Sequence, residues 1–248
     1  MEVSSLALVR HLNSVLGIRH IPDASRNGMQ LRAGPIVKKV GVAVDACINT
    51  FRQASRHGID TVIVHHGMYW KGQRDITGSR AMREEYLREN GISLYAAHLP
   101  LDLHPVYGNN ACLADMLKVE DRQPFHSYHG VTIGYSGRLP KPMSPAQIGK
   151  RLDKAIGSRS ICHSFSKKKA RTIGIVSGGG SSALSDLGDI DCLLTGEAPH
   201  NAVVEAKDLG KGIVLGGHYE TETVGVMALA KMISEKWGLP TRFIGNPP

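Results

Sequence analysis

Short apolar runs alternate with helix-length polar stretches along the chain, and this pattern predicts the order of the secondary structure. Residues 4–17 carry leucine and valine at helical spacing, which indicates an amphipathic helix. Three runs rich in β-branched residues then follow at 39–44, 61–64 and 92–97, and each is separated from the next by a stretch long enough for a helix. Strands that alternate with helices predict an α/β fold whose sheet is parallel or mixed and is covered on both faces.

The second half of the chain repeats this order. The segments 39–44, 59–64 and 91–94 have counterparts at 172–177, 190–195 and 212–215. In each copy a histidine after the third segment precedes a carboxylate by four residues, as His98 and Asp102 do in the first copy and His218 and Glu222 in the second. We therefore predict a diverged duplication that forms two pseudo-symmetric αβ lobes with mixed sheets. Chance similarity among apolar strands is the alternative.

The duplication divides the chain into three predicted segments within one compact unit. Residues 1–120 form the first lobe, residues 121–170 a connecting segment packed on the lobes, and residues 171–248 the second lobe. The connecting segment contains a predicted strand at 130–135. It also contains a helix that begins at the Ser-Pro pair 144–145, because serine is a favoured N-cap and proline a favoured first helical residue.

Composition narrows the class of protein. The four cysteines contain no C-x-x-C pair, so neither a disulfide framework nor a thiolate zinc site is expected. The first residues lack the features of a secretory signal, and no apolar run reaches the roughly 18 residues of a membrane span, so we expect a cytoplasmic protein with no membrane partner. A formal net charge of +8 favours an anionic partner, either a phosphorylated metabolite or nucleic acid, although the lysines at 167–169 also suit a solvated loop.

Candidate chemistry gathers where the predicted strands end, which is where open α/β sheets bind ligands. The run at 61–64 leads directly into His65 and His66. Adjacent residues on a regular strand point to opposite faces, so both histidines can serve one centre only if the backbone turns, which Gly67 permits. A proline-bounded loop after the next run carries three more such groups, namely His98, Asp102 and His104.

The third strand end contributes His218 and Glu222, which lie one helical turn apart on one face of a predicted helix. A lone histidine after a strand is more often a hydrogen-bonded surface group than a ligand, but three strand ends with the same residue types favour a metal site. Imidazoles and carboxylates without sulfur suit Fe, Mn, Zn, Co or Mg. These groups outnumber the three protein ligands of a catalytic zinc, so we expect two ions bridged by a carboxylate.

Other residues near these strand ends favour a role toward a substrate. Glu197 closes the strand equivalent to the one that carries the histidine pair, so it is a candidate to face the metals or to act as a general base, with His200 nearby. The glycine- and serine-rich stretch 177–182 resembles an anion-binding nest of backbone N–H groups, or is a flexible turn. Tyr69 and Trp70 are candidates to stack a base or gate a pocket, or else to pack in the core.

Six motifs spread over nearly the whole chain carry a family resemblance. They are Asn27-Gly28 with Gln30, Val62-Ile63-Val64-His65-His66-Gly67, His98-Leu99-Pro100-Leu101-Asp102, Gly108-Asn109-Asn110, Thr195-Gly196-Glu197, and Gly217-His218 with Glu222. Together they resemble the Nif-three-like family, also called GTP cyclohydrolase I type 2 homologues, in its bacterial short form. Gly67 departs from the commonest family pattern, which has proline there, but the short forms share the glycine.

The resemblance implies a dinuclear metal site at the strand C-terminal ends between the lobes, with the ligands His65, His66, Asp102, His218 and Glu222. Asp102 and Glu222 are the candidates to bridge the two ions, and His98 lies beside the site as a neighbouring or substrate-contacting group. The resemblance also implies a toroidal homohexamer whose metal sites face an internal cavity.

These inferences predict a metal-dependent hydrolase with two divalent ions per chain. The ions activate a water, and His98 or Glu197 moves protons. A nucleotide or another phosphorylated heterocycle is the expected substrate, and GTP cyclohydrolase activity is implied by the resemblance alone. The alternatives are a metal-organised ring that binds nucleic acid or a partner protein, and a protein that stores or delivers metal.

Overall fold

The computed structural model describes residues 1–72 and 77–247. The α-helices of these residues are α1 Ser5–Val15, α2 Ile48–Arg56, α3 Ser79–Glu89, α4 Leu99–Asp102, α5 Asn109–Leu117, α6 Pro145–Ile156, α7 His200–Asp208 and α8 His218–Trp237. The strands are β1 Val3–Ser4, β2 Gly28–Leu31, β3 Ile36–Val37, β4 Val40–Asp45, β5 Thr61–His66, β6 Ser93–Ala96, β7 Glu120–Tyr128, β8 Val131–Met143, β9 Ile161–Ser164, β10 Ala170–Val176, β11 Cys192–Thr195, β12 Gly212–Leu215 and β13 Thr241–Phe243. A 3-10 helix spans Gly180–Asp186.

The chain forms two compact units. One consists of Met1–Leu101 together with Gly225–Pro248, and the other of Asp102–Val224. The boundaries of these units differ from those of the predicted segments, because each predicted segment is continuous in the chain whereas the first unit also contains the C-terminal residues. The predicted first lobe also includes residues 73–76, which lie outside the described residues.

The first unit is built on a five-stranded mixed sheet with the strand order β13-β4-β5-β6-β2. The strands β13, β4, β5 and β6 run parallel, and β2 pairs with β6 in the antiparallel direction. The central strand β5 is apolar and buried on both faces, as its residues Val62, Ile63 and Val64 show no solvent exposure. A short antiparallel pair of β1 and β3 lies in the same unit.

The second unit is built on a six-stranded mixed sheet with the strand order β7-β8-β10-β11-β12-β9. The strands β10, β11 and β12 run parallel, and β8 and β9 flank them in the antiparallel direction. The hairpin partner of β8 is β7. The core of this unit includes the fully buried residues Leu194, Ile175 and Val214. The prediction of an α/β fold with mixed sheets is therefore confirmed.

The two sheets share one local arrangement. Each contains three parallel strands that follow one another in the chain, β4, β5 and β6 in the first sheet and β10, β11 and β12 in the second, with an antiparallel strand from earlier in the chain paired to the third. At the start of the first parallel strand, Asp60 Oδ2 accepts the backbone N–H groups of Lys38 and Lys39 at 2.8 and 3.0 Å. Asp191 Oδ2 accepts those of Arg171 and Thr172 at 2.7 and 3.0 Å in the second unit. These aspartates are counterparts in the predicted duplication, so this similarity supports that prediction.

The predicted connecting segment 121–170 contributes strands to the second sheet. The strand expected at 130–135 is longer than predicted and ends at Met143. The part that was missed contains glycine at position 137, where the backbone of β7 leaves no room for a side chain: a Cβ at Gly137 would lie 2.6 Å from Glu120 O. The helix expected at Ser144 is confirmed, and Ser144 and Gln147 form a capping box at its start.

The loop predicted around Pro100 is partly wrong, because Asp102 lies in a helix, whereas His98 and His104 lie outside helices and strands. The residues that follow β6 form the short helix α4, and Leu101 N donates to His98 O at 2.8 Å. Proline fits the first turn of a helix, where its missing N–H is not needed, so it begins a helix here.

In the part of the chain that the structure describes, every helix is too short or too polar to cross a membrane.

Candidate metal centre

The histidine pair lies within β5, which continues through His66. His65 is fully buried and His66 is partly exposed, and their ring centroids lie 4.7 Å apart. Gly67 does not adopt a positive φ, and its lack of a side chain is needed for close packing. A Cβ at Gly67 would lie 2.3 Å from Gln30 Nε2 and 2.6 Å from Ala96 Cβ.

Both imidazoles are held in place through Nδ1. His65 Nδ1 lies 2.9 Å from Ala97 O, and His66 Nδ1 lies 2.9 Å from Asp45 Oδ1. A carbonyl or carboxylate oxygen at this position selects the tautomer with the proton on Nδ1, so a metal would be bound through Nε2. Each histidine thus has the orientation of a metal ligand.

His98 joins this pair from the residue after β6. Its Nδ1 lies 3.0 and 3.2 Å from the two carboxylate oxygens of Asp23, and its backbone N–H donates to Asn27 Oδ1 at 2.7 Å. One nitrogen from each of His65, His66 and His98 lies within 4.8 Å of the others. The first unit therefore contains a three-histidine group that could hold a metal ion.

Asp23 is the buried support of His98. Burial raises the pKa of Asp23, but hydrogen bonds from His98, Asn27 and Ser25 outweigh it and lower that pKa to about 2. Asp23 also accepts the backbone N–H of Leu99 at 3.0 Å. The carboxylate therefore stays ionised at neutral pH and fixes the ring of His98.

The second unit holds another pair of candidate ligands at the start of α8. His218 Nδ1 lies 2.8 Å from Glu197 Oε1, and His218 Nε2 lies 3.3 Å from Glu222 Oε1. Hydrogen bonding to Glu222 raises the pKa of His218 to about 9, against the lowering effect of burial, and Glu197 adds to the rise. A divalent cation would compete with the proton that His218 and Glu222 share.

Asp102, in the same unit, is a buried carboxylate with two neutral donors. Its Oδ1 accepts Asn109 Nδ2 at 2.8 Å and Ser177 Oγ at 3.1 Å. Only 6% of Asp102 and 4% of Glu222 is solvent-exposed. Buried carboxylates beside an imidazole are ligands that divalent cations prefer, so this unit also has the chemistry of a cation ligand set.

The stretch 177–182 lies next to Glu222, and three of the backbone N–H groups of the predicted anion nest bind side chains of the protein. Gly178 has a φ of +60°, and a Cβ there would lie 2.1 Å from Glu222 Oε1. The backbone N–H groups of Ser177, Gly178 and Gly180 donate to side chains of the protein, namely Asn110, Thr221 and Thr195. These donors are engaged within the protein.

The remaining sequence candidates have other contacts. His104 Nδ1 accepts the backbone N–H groups of Val106 and Tyr107 at 3.1 and 2.9 Å. Trp70 packs on the histidine group, because its ring centroid lies 5.0 Å from that of His98. His200 is exposed at the start of α7.

Two residues that sequence reasoning missed are the carboxylates behind the histidines. Asp45 closes β4, so the rule that strand ends carry chemistry could have found it. Asp23 lies outside any helix or strand, 75 residues before its partner His98 in the chain, and no local pattern marks it.

Comparison with known proteins shows the family of the chain. The sequence model of the family described as Duf34/NIF3 (NGG1p interacting factor 3) matches residues 1–247. Proteins called "GTP cyclohydrolase 1 type 2 homolog" are similar over nearly their full length. The one from Pyrococcus horikoshii is 39% identical over 242 residues, 97% of each chain. The one from Deinococcus radiodurans is 35% identical over 248 residues, 99% of this chain and 94% of the relative.

A solved structure has the same fold. The crystal structure of TTHA1606 from Thermus thermophilus is 39% identical in sequence, superposes with a TM-score of 0.90, and covers 99% of each chain. Similarity in both sequence and fold, over the full length, decides the assignment: the chain belongs to the Duf34/NIF3 family.

Proposed function

We propose that this protein is a metal-dependent hydrolase with two divalent ions bound by His65, His66, Asp102, His218 and Glu222. The observation that carries the proposal is the common orientation of the histidines. An oxygen acceptor holds Nδ1 of each histidine in the proposed ligand set, at 2.8–2.9 Å. Carboxylates and carbonyls behind metal-binding histidines fix the ring and raise its basicity, and their presence here favours a site built for metal.

The donor set fits hard and borderline divalent ions. It combines imidazoles with buried carboxylates and contains no sulfur, which suits Fe, Mn, Zn, Co or Mg. The buried charges of Asp102 and Glu222 would be compensated by the ions. When bound, two such ions supply Lewis-acid polarisation of a substrate oxygen and an activated water at neutral pH.

We assign proton transfer to His98. Its Nδ1 is fixed by the ionised carboxylate of Asp23, so the ring keeps one orientation while Nε2 can accept and donate a proton. Glu197 has a different role in this proposal, because its carboxylate contacts His218 Nδ1 and positions that ligand.

The substrate class is supported by charge and by the names of relatives. A net charge of +8 favours an anionic substrate, and similar proteins carry the name "GTP cyclohydrolase 1 type 2 homolog". We therefore propose a nucleotide or another phosphorylated heterocycle as the substrate.

The first test is metal content and turnover of protein purified without a metal-affinity tag. We expect about two ions per chain and metal-dependent hydrolysis of a nucleotide. Asp102→Asn and Glu222→Gln should each lose at least one ion per chain and most of the activity, because each removes a charged ligand. Glu205→Gln, at an exposed position of α7, is the matched control and should retain both.

The outcomes separate the alternatives. Two ions without turnover would overturn the hydrolase assignment and favour a ring that binds nucleic acid or a partner protein, or metal storage and delivery. Wild-type protein without bound metal, before and after incubation with Mn²⁺, Fe²⁺ or Zn²⁺, would overturn the proposal as a whole.

A further inference from the structure

A cavity of about 320 Å³ opens beside His66 in the first unit. Its lining residues are Asp45, Ala46, Cys47, His66, Gly67, Arg83 and Asn246. The volume lies at the lower end of the range for small-molecule sites, about 300–1,000 Å³. A ligand in this cavity would lie directly next to one proposed metal ligand.

Arg83, on α3, is the unusual member of this lining. It is half-buried, and its Nε atom is buried and has no hydrogen-bond partner among the described residues. No ion pair of Arg83 occurs within residues 1–72 and 77–247, whereas Arg88 on the same helix is paired with Glu84. A buried guanidinium donor without an acceptor costs free energy, and a bound anion would remove that cost.

The other polar groups of the cavity are compatible with an anion. Asp45 is the carboxylate among the described lining residues, and it is engaged with His66 Nδ1 at 2.9 Å. Cys47 forms the N-cap of α2, and its Sγ accepts Asn246 Nδ2 at 3.0 Å. The positive end of the α2 dipole therefore lies at the cavity wall, which adds to the attraction of Arg83 for negative charge.

We infer that this cavity binds a phosphate group through Arg83 and so holds the anionic end of the substrate beside His66. The inference rests on the proposed function for the role of the ligand as a substrate, but the anion site itself is a property of the cavity. Arginine suits this task because its planar fork donates two parallel hydrogen bonds to two phosphate oxygens. The ligand class is a phosphate ester, with free inorganic phosphate as the simplest member.

The test is isothermal titration calorimetry with inorganic phosphate, GTP and guanosine, on the full chain as purified without a metal-affinity tag. We expect Arg83→Gln to weaken phosphate and GTP binding at least about tenfold, because a charge-assisted bidentate contact is lost. The affinity of Arg83→Lys for phosphate should lie between the affinities of the wild type and of Arg83→Gln, since lysine keeps the charge but cannot form the bidentate contact. Arg52→Gln, at an exposed position of α2, removes the same charge outside the cavity and should bind like the wild type.

Metal content of each variant distinguishes failure of this inference from failure of the proposed function. Arg83→Gln with unchanged metal content and thermal unfolding but weakened phosphate binding supports the site. Equal binding by the wild type, Arg83→Gln and Arg52→Gln would overturn it, as would a wild type that binds neither phosphate nor GTP at millimolar concentration. Arg83-dependent phosphate binding by a protein without metal would leave the anion site standing and overturn the metal proposal instead.

Discussion

At the level of single residues, the oxygen atoms that accept a hydrogen bond from Nδ1 set the tautomer and the orientation of the candidate histidines. Each ring in the two candidate groups has Nδ1 on an acceptor, which is a carbonyl for His65 and a carboxylate for His66, His98 and His218. The acceptor selects one tautomer and removes rotational freedom of the ring. The other ring nitrogen, Nε2, is then held in one orientation in which it can bind a metal or accept a proton from a substrate.

A substitution at Asp45 tests whether the acceptor oxygen supports metal binding by His66. We expect Asp45→Asn to weaken metal binding by about 10–100-fold, because the amide supports His66 less well than a carboxylate does. Competition with a metallochromic chelator measures the affinity. Glu85→Gln, at an exposed position of α3, serves as control, and an affinity in Asp45→Asn equal to that of the control would contradict the role.

Asp191 gives a stability prediction that is independent of the metal site. Burial raises its pKa, but the N–H groups of Arg171 and Thr172 and the Thr172 hydroxyl outweigh burial and lower it below 3.8. Because the folded pKa lies below the unfolded one, its stabilisation is present above the unfolded pKa and is lost as pH falls through the folded pKa.

Asp191→Asn should therefore destabilise the protein at pH 7 by about 1–2 kcal/mol, through loss of charge-assisted hydrogen bonds. The difference from the wild type should shrink as pH falls below about 4. Urea unfolding at several pH values measures both. A difference that stays constant from pH 7 to pH 3 would contradict the role of the ionised carboxylate, and exposed Asp189→Asn should change stability little at any of these values.

At the scale of elements, the ends of parallel strands carry most of the candidate chemistry. Asp45 ends β4, His66 ends β5, and Glu197 follows β11. The strands could be predicted from apolar runs because central strands are buried on both faces. The helix α4 could not be predicted, because its four residues, which include Pro100, are too few to show helical periodicity.

The turn after β10 shows how an element places a ligand. Gly178 has no space for a side chain next to Glu222 and has a positive φ. We expect Gly178→Ala to displace Glu222, to lower metal stoichiometry, and to destabilise the protein by about 1–3 kcal/mol. Metal analysis and urea unfolding give the two readouts.

Gly210→Ala is the matched control, because Gly210 has a φ of +64° and a Cβ there would meet nothing within 4 Å. The control should carry the backbone strain alone and keep its metal. Equal metal content in Gly178→Ala and Gly210→Ala would show that contact with Glu222 does not position this ligand.

For the molecule as a whole, each of the two units contains three consecutive parallel strands with an antiparallel strand paired to the third. An aspartate accepts backbone N–H groups at the start of β4 and of β10, Asp60 in the first unit and Asp191 in the second, and this similarity supports the predicted duplication. Homohexamer formation and cytoplasmic location stay predictions. Light scattering would test the first, with an expected mass about six times the 26.8 kDa of one chain.

The family, the α/β class and the parallel strands β4–β6 and β10–β12 could be predicted from the amino-acid sequence, because they follow from local periodicity and from short motifs. The groups that support the proposed ligands became visible in the folded chain. Asp23 contacts His98, which lies 75 residues later in the chain. Position 67 must be glycine because the side chains of Gln30 and Ala96 occupy the space of a Cβ there. Such contacts depend on how segments that are far apart in the sequence pack together, and local sequence patterns do not specify that packing.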